Sequence, residues 1–175
     1  MTGEECNNHI LFVGFMGSGK TSVSRKISSI TGMSLIDIDY RIEAIQHRKI
    51  SQIFADEGEE GFRRIETETL AGIAYERRSI VACGGGIVCN PVNRPILKKL
   101  GTVIYLDVPL DEAIGRISRP ETRPLLSGAR PVEEIYAERL AWYKEVADIT
   151  VHSSNMSIYQ VARLCISELE ERDLL

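Results

Sequence analysis

The sequence predicts an α/β fold, with a central five-stranded parallel sheet flanked by helices, in one domain over residues 1–175. Five short apolar runs have the length of strands, and the segments between them show helical periodicity. Strands that alternate with helices form largely parallel sheets covered on both faces. The chain has 175 residues, of which 43% are hydrophobic and 26% charged. This composition is typical of one globular domain with a closed core.

Each predicted element is bounded by residues that start or stop regular structure. The strand runs are HILFVG at 9–14, SLIDID at 34–39, SIVAC at 79–83, TVIYLDV at 102–108 and DITVH at 148–152. Helices fill the intervals and follow the last strand. The expected helix signals are Gly32 at the end of the first helix, Asn90 and Pro91 opening another, Pro109 and Pro131 in first turns, and Ser157 as the last cap.

Composition disfavours two classes of partner. No apolar run reaches the roughly 18 to 20 residues that span a bilayer, and the first residues, MTGEECNNH, are too polar for a secretory signal. The net charge of -4 disfavours nucleic acid, because binding a phosphate backbone favours a basic surface. We therefore expect a cytoplasmic protein without membrane or nucleic-acid partners. A monomer is expected as well, although nothing in the composition points to an oligomeric state.

The cysteines and histidines do not predict a metal or disulfide framework. The four cysteines contain no C-x-x-C pair, and no histidine stands at a metal-ligand spacing. We expect reduced thiols, and we interpret Cys83 and Cys89, which flank three glycines, as small packing residues. The histidines, expected at the surface or at strand edges, are His9, His47 and His152.

A phosphate-binding motif follows the first predicted strand. GFMGSGKT, from Gly14 to Thr21, matches the P-loop pattern G-x-x-x-x-G-K-[ST] and precedes a predicted helix. Backbone N–H groups of such a loop surround phosphate oxygens, and the helix N-terminus adds partial positive charge. We expect Lys20 to reach the β- and γ-phosphates and Thr21 to bind Mg²⁺. The residues predicted to bind the nucleotide here are Gly17, Ser18, Gly19, Lys20, Thr21 and Ser22.

Two carboxylates compete for the place beside the magnesium ion. Asp107 ends one apolar strand and Asp37 ends another. In an extended LIDID segment, alternation puts Asp37 and Asp39 on one face at the carboxyl end of a strand, where open α/β sheets bind ligands. Asp107 has a second interpretation, since it precedes Pro109 and could help to start a helix.

The segment at about 116–131 is rich in proline and arginine, which favours a loop. A basic loop beside a phosphate site is often a lid that closes over the nucleotide. The alternative to a lid is that this segment is a rigid, solvent-exposed loop that only connects two elements.

The motifs together resemble the shikimate kinases, P-loop enzymes of the nucleoside monophosphate kinase-like group. The matching segments are GFMGSGKT, DID at 37–39, FRRIE at 62–66, GGG at 84–86, RPLL at 123–126 and ERLAWYKEVA at 138–147. They occur in the family's order and near its spacing, and they span most of the chain. The resemblance implies transfer of the γ-phosphoryl of ATP to the 3-hydroxyl of shikimate, with one Mg²⁺, in aromatic amino-acid biosynthesis.

The resemblance also implies roles for the acceptor site. Asp37 would hold Mg²⁺ through water, and Asp39 would position the 3-hydroxyl or take its proton. The shikimate carboxylate would be bound by Arg63 and Arg139, with backbone contacts from the glycines Gly85 and Gly86. Glu66 could orient Arg63, although an exposed pair three residues apart on a helix is the plainer interpretation.

At the nucleotide side the match is less complete. The resemblance implies that Arg123 reaches the phosphates as a catalytic lid residue, with Lys20, and that Arg116 packs on adenine. After the fifth strand the family often has arginine and proline, whereas this chain has VHSSNMS. Asn155 or its neighbours are expected to supply contacts to the base there.

There are three alternatives to the predicted shikimate kinase activity. A GTPase is disfavoured because the chain has neither N-K-x-D nor D-x-x-G in the required context. A kinase for gluconate or a nucleoside monophosphate shares the P-loop but is not expected to combine DID, FRRIE and GGG. A non-catalytic protein that binds the same two ligands is the alternative from another class.

Overall fold

The computed structural model describes residues 8–117 and 130–175, which form five strands and seven helices. The strands are β1 (His9–Val13), β2 (Ser34–Asp37), β3 (Ser79–Ala82), β4 (Gly101–Asp107) and β5 (Ile149–His152). The helices are α1 (Lys20–Thr31), α2 (Ile38–Gln46), α3 (Ile50–Gly72), α4 (Asn93–Leu100), α5 (Leu110–Gly115), α6 (Val132–Val146) and α7 (Ile158–Glu170), with a 3₁₀ turn at Ile73–Tyr75. Among these residues, no helix combines the length and apolarity that a bilayer crossing requires.

The five strands form one sheet in the order β2-β3-β1-β4-β5, and every neighbouring pair is parallel. The predicted five-stranded parallel sheet is therefore confirmed. Because the strands are parallel, their carboxyl ends lie at one edge of the sheet. The P-loop after β1, the acids after β2 and the glycines after β3 consequently meet there.

Both faces of the sheet are covered. Alternate residues of β1 point to opposite sides, so Leu11 and Val13 belong to one core and Ile10 and Phe12 to the other. The first core packs against α2, α3, α4 and α6, and the second against α1 and α7. The two layers of helices fix the central strands, and with them the loops at the carboxyl edge.

Two predicted helix boundaries are confirmed, and three are displaced. Gly32 ends α1 in the left-handed conformation, and Ser157 caps α7 with Gln160 in a capping box. The helix expected at Asn90 begins three residues later, because the Asn90 side chain accepts the N–H of Val92 and forms a turn first. The prolines expected in first turns, Pro109 and Pro131, instead directly precede α5 and α6 as their N-caps.

The prediction that residues 34–39 form one extended strand is wrong at its end. β2 stops at Asp37, and Asp39 lies in the first turn of α2. The cause is the Asp37 side chain, whose Oδ1 accepts the N–H of Tyr40 at 3.2 Å and caps the helix. Strand alternation therefore does not explain how Asp39 reaches the sheet edge.

Of the positions expected for His9, at the surface or at a strand edge, the surface is wrong, because His9 is buried at the start of β1. Its Nδ1 accepts the backbone N–H of Ser79 at 3.1 Å, and its Nε2 lies 3.1 Å from the Ile73 carbonyl. A carbonyl can only accept, so Nε2 carries the proton and the ring is neutral. Burial lowers the pKa of His9. The two hydrogen bonds of its ring join β1 to the segment that leads into β3.

Candidate active site

A cleft at the carboxyl edge of the sheet brings three predicted motifs together. It contains a cavity of about 170 Å³. The lining residues are Met16, Gly17, Gly19, Lys20, Thr21, Ser22, Asp39, Cys83, Gly84 and Gly85. The P-loop, the acid of α2 and the glycine turn (Gly84–Gly86) thus share one space, although they are up to about seventy residues apart in sequence.

The P-loop adopts the conformation that phosphate binding needs. Gly17 and Gly19 have φ of 78° and 89°, which side chains other than glycine rarely adopt. A Cβ on Gly17 would also overlap the carbonyl of Ala113, so the loop is packed directly against α5. The Lys20 ammonium donates to the carbonyls of Gly14 at 2.7 Å and Phe15 at 2.8 Å. It therefore lies at the centre of the loop.

Of the two candidate carboxylates for the metal, only Asp37 contacts the P-loop. The Thr21 hydroxyl donates to Asp37 Oδ2 at 2.9 Å. Asp107 instead accepts the Tyr105 hydroxyl at 2.9 Å and pairs with His152 Nδ1 at 2.9 Å. Asp107 does not cap a helix, since Pro109 is the N-cap of α5. Hard oxygen ligands are therefore gathered at Thr21 and Asp37.

Two carboxylates converge on the first glycine of the turn. A Cβ on Gly84 would lie 2.8 Å from Asp39 Oδ1 and 3.1 Å from Glu66 Oε1. A side chain at this position would displace the Asp39 carboxylate. Asp39 also lines the cleft with Lys20, so a carboxylate and an ammonium group border the same space.

Arg63 and Glu66 form a buried ion pair rather than the exposed one that the sequence left open. Arg63 Nη1 lies 2.7 Å from Glu66 Oε2, and the Glu66 side chain is 1% exposed. Burial raises the pKa of Glu66, and the charge of Arg63 opposes that shift. Burial would lower the pKa of Arg63, but Glu66 raises it overall. Within the described residues, the buried Nε of Arg63 has no hydrogen-bond partner.

The second predicted arginine reaches the glycine turn from α6. Arg139 is 4% exposed, and its Nη1 donates to the Gly85 carbonyl at 3.3 Å. A Cβ on Gly86 would overlap the Arg63 guanidinium. Arg63 and Arg139 therefore approach the same short turn from two helices, and bare backbone lets them do so.

The cysteines beside the turn are packing residues, as predicted. Cys83 is buried and Cys89 half-buried, and both are free thiols. Burial raises the pKa of each thiol, which keeps them protonated and poorly nucleophilic.

At the other end of the P-loop, Arg116 and the loop after β5 meet at Glu112, a residue that sequence reasoning missed. Arg116 Nη2 donates to Glu112 Oε2 at 2.9 Å and to the Ser153 carbonyl at 3.3 Å. Glu112 also accepts the Ser154 hydroxyl and the Asn155 N–H, the latter at 3.2 Å. These hydrogen bonds lower the pKa of Glu112, with Ser154 the largest cause. An acid in the first turn of a helix is usually a dipole partner, so no sequence signal marked it.

Arg123 and most of the predicted lid lie outside the described residues, which resume at Arg130. Of the predicted site residues, the others are all described. They fall into two groups, one around the glycine turn and one around the P-loop and Glu112.

The family model described as Shikimate kinase matches residues 16–170. The chain belongs to the shikimate kinase family. The match runs from the P-loop to the end of α7, and it confirms the resemblance carried by the six sequence motifs. It also argues against the gluconate and nucleoside monophosphate kinase alternatives.

Individual members of the shikimate kinase family resemble the chain over most of their length. The shikimate kinase of Aromatoleum aromaticum is 41% identical over 145 residues, which cover 81% of this chain and 83% of that protein. That of Vibrio parahaemolyticus is 37% identical, covering 94% of this chain and 97% of its own. The solved structure of the Acinetobacter baumannii shikimate kinase, in complex with shikimate, has a TM-score of 0.90 at 32% identity and covers 96% of each chain.

Proposed function

We propose that this member of the shikimate kinase family transfers the γ-phosphoryl group of ATP to the 3-hydroxyl of shikimate. The products are shikimate 3-phosphate and ADP, in the pathway to chorismate and the aromatic amino acids. The observation that carries the proposal is the shared cleft, in which the P-loop residue Lys20 faces Asp39 and the glycine turn. A donor phosphate and an acceptor alcohol bound there would be adjacent. The Acinetobacter baumannii complex with shikimate supports the choice of acceptor.

The acceptor carboxylate would lie between Arg63 and Arg139, against the backbone of Gly85 and Gly86. A guanidinium group presents a planar fork of donors that matches a carboxylate. The unpaired buried Nε of Arg63 supports this arrangement, because a buried donor normally has a partner. Glu66 holds Arg63 in place but does not occupy that donor.

Asp39 would hold the acceptor 3-hydroxyl in line with the γ-phosphate and accept its proton as the oxygen attacks phosphorus. The bond between phosphorus and the bridging oxygen of ADP breaks, and ADP leaves. Phosphoryl transfer depends chiefly on positioning and on neutralising charge. Lys20 and the lid arginine Arg123 would supply that neutralisation, and a closed lid would exclude water.

The oxygen atoms of Thr21 and Asp37, which lie 2.9 Å apart, would hold one Mg²⁺ ion. Magnesium usually keeps several waters and is held by one or two protein groups together with substrate phosphates. Consistent with that, residues 8–117 and 130–175 contain no group of three or more His, Cys, Asp or Glu side chains that could hold a metal by themselves. When bound, the ion neutralises charge on the β- and γ-phosphates.

The nucleotide would lie along the P-loop, from Gly17 to Ser22, with its base near Arg116 and Asn155. Arg116 and the loop at 153–155 are already joined through Glu112. That contact supports a base site at this end of the cleft, although the chain lacks the family's usual arginine and proline there.

A coupled assay of ADP formation with ATP and Mg²⁺ tests the proposal. We expect ADP release that depends on shikimate and ceases when EDTA removes the metal. Gluconate and nucleoside monophosphates are the comparison acceptors, and ADP formed only with one of them would refute the proposal. Binding of both ATP and shikimate without turnover would indicate the non-catalytic alternative.

The Asp39→Asn variant tests the assigned proton acceptor. We expect kcat to fall about 100-fold or more, as is typical for loss of a general base, with an unchanged unfolding midpoint. Asp56→Asn, at an exposed position of α3, is the control and should keep wild-type kcat.

A further inference from the structure

Two stacked tyrosines lie beneath the cleft and send their hydroxyl groups to different partners. The rings of Tyr105 and Tyr143 are buried, with centroids 5.2 Å apart and planes at 17°. The Tyr105 hydroxyl donates to Asp107 at 2.9 Å, and the Tyr143 hydroxyl donates to the Gly85 carbonyl. The two residues therefore contribute similarly to packing, but only Tyr143 touches the glycine turn.

The Gly85 carbonyl is held by two donors, the Tyr143 hydroxyl and Arg139 Nη1. Burial raises the pKa of Tyr143, so its hydroxyl keeps its proton and remains a donor. The peptide bond between Gly85 and Gly86 is trans, and a trans peptide points its N–H opposite to its carbonyl. Fixing the Gly85 carbonyl toward α6 therefore fixes the Gly86 N–H away from α6.

Gly86 is a buried residue of the turn, and its carbonyl accepts the N–H of Cys89. The unpaired Nε of Arg63 belongs to the guanidinium that lies against Gly86. Buried donors are rarely left unpaired. This unpaired donor beside the glycine turn therefore indicates an anionic ligand.

We infer that Tyr143 is a positioning residue for the acceptor, holding the Gly85 carbonyl and, through it, Arg139, so that Arg63 and Arg139 bind one carboxylate. Tyr143 itself does not contact the substrate. The inference rests on the proposed function, which puts the shikimate carboxylate between Arg63 and Arg139. It adds Tyr143, which affects shikimate binding only through the Gly85 carbonyl and Arg139.

Replacing each tyrosine by phenylalanine separates positioning from packing. Tyr143→Phe keeps the ring but removes the hydrogen bond to the turn, and we expect the KM for shikimate to rise about 3- to 10-fold. The KM for ATP should stay within twofold, because the P-loop is not touched. Tyr105→Phe is the matched control, since it removes the other hydroxyl of the same stack and should leave the KM for shikimate unchanged.

Equal effects of the two substitutions on the KM for shikimate would overturn the inference, as would no effect of Tyr143→Phe. If wild-type protein shows no shikimate-dependent turnover, the proposed function fails first, and the two failures are thereby distinguished.

The amide signal of Gly86 gives a readout that does not depend on activity. In ¹⁵N-labelled wild-type protein, shikimate should shift this signal more than those of exposed glycines such as Gly115. The same titration of Tyr143→Phe should give a smaller shift at the same fractional saturation. A Gly86 amide that shikimate leaves unmoved in wild-type protein would overturn the inference, even if the variant did not fold.

Discussion

Adjacent arginines in FRRIE have different environments, although the letters are identical. The Arg63 side chain is 14% exposed and pairs with buried Glu66, whereas that of Arg64 is 67% exposed and reaches Glu57. The helical turn of α3 points one toward the glycine turn and the other to solvent. Of these two neighbours, we therefore assign substrate binding to Arg63, which is buried beside the glycine turn.

Substituting these neighbours tests that assignment. Arg63→Ala should raise the KM for shikimate about 10- to 100-fold, the effect expected when hydrogen bonds to a charged group worth ~1.5–3 kcal/mol are lost. The KM for ATP should change little. Arg64→Ala, the control on the same helix, should resemble wild type in both constants, and a similar loss in both variants would contradict the assignment.

His9 predicts how stability depends on pH. Its folded-state pKa is lowered from 6.5 by burial, so below about pH 6.5 the unfolded chain binds a proton that the folded protein does not. The contribution of His9 to stability is thus present above that pH and is lost as the pH falls through it, by at most about 1.4 kcal/mol per pH unit.

Urea unfolding of wild-type protein between pH 7.5 and 5 should show this loss. A His9→Gln variant should have a shallower dependence on pH over the same range, whatever its absolute stability. Parallel curves for His9→Gln and wild type would show that another group is responsible.

At the scale of elements, α5 and the loop after β5 are joined by Glu112. The glutamate accepts hydrogen bonds from Arg116 on its own helix and from Ser154 and Asn155 on the loop. Asn155 has φ of 55°, so the loop turns sharply at this contact. The contact sets the spacing between two segments that we assign to the nucleotide base.

Removing Glu112 should therefore weaken nucleotide binding specifically. We expect Glu112→Ala to raise the KM for ATP about 5- to 20-fold, while the KM for shikimate stays near wild type. Asp111→Ala is the control, because Asp111 is an exposed acid of the same helical turn. An equal change in both Michaelis constants would point to a general effect on the fold.

At the scale of the whole molecule, one sheet lies between two hydrophobic cores and contributes side chains to both. The central strand β1 contributes buried side chains to both cores, so neither can open without disturbing the other. A continuous sheet of this kind favours one cooperative unit, in keeping with the single domain predicted for residues 1–175. The expectations of a monomer and of a cytoplasmic location stay predictions.

Calorimetry tests the cooperative unit. The protein should unfold in one transition whose calorimetric and van't Hoff enthalpies agree. Shikimate at about 100 times its dissociation constant should stabilise the whole transition by about 2.7 kcal/mol. Two separate transitions, with only one displaced by ligand, would contradict the prediction of a single domain.

The sequence by itself determined the fold class and the family. Apolar runs of strand length predicted the parallel sheet, and six ordered motifs, the P-loop among them, predicted the family. These features are readable because they depend on neighbours in sequence: periodicity, loop glycines and the spacing of residues on one helix.

Only the tertiary structure decided which of these residues are buried and which residues they contact. The segment FRRIE does not show that the ion pair of Arg63 and Glu66 is buried. The residues near Glu112 in sequence likewise do not predict its hydrogen-bond partners on a distant loop. The side chain of Asp37 ended β2 early by capping α2, and this moved Asp39 into the helix. In each case the deciding contact involves desolvation or a partner brought close by folding, and a pattern of local letters does not specify either.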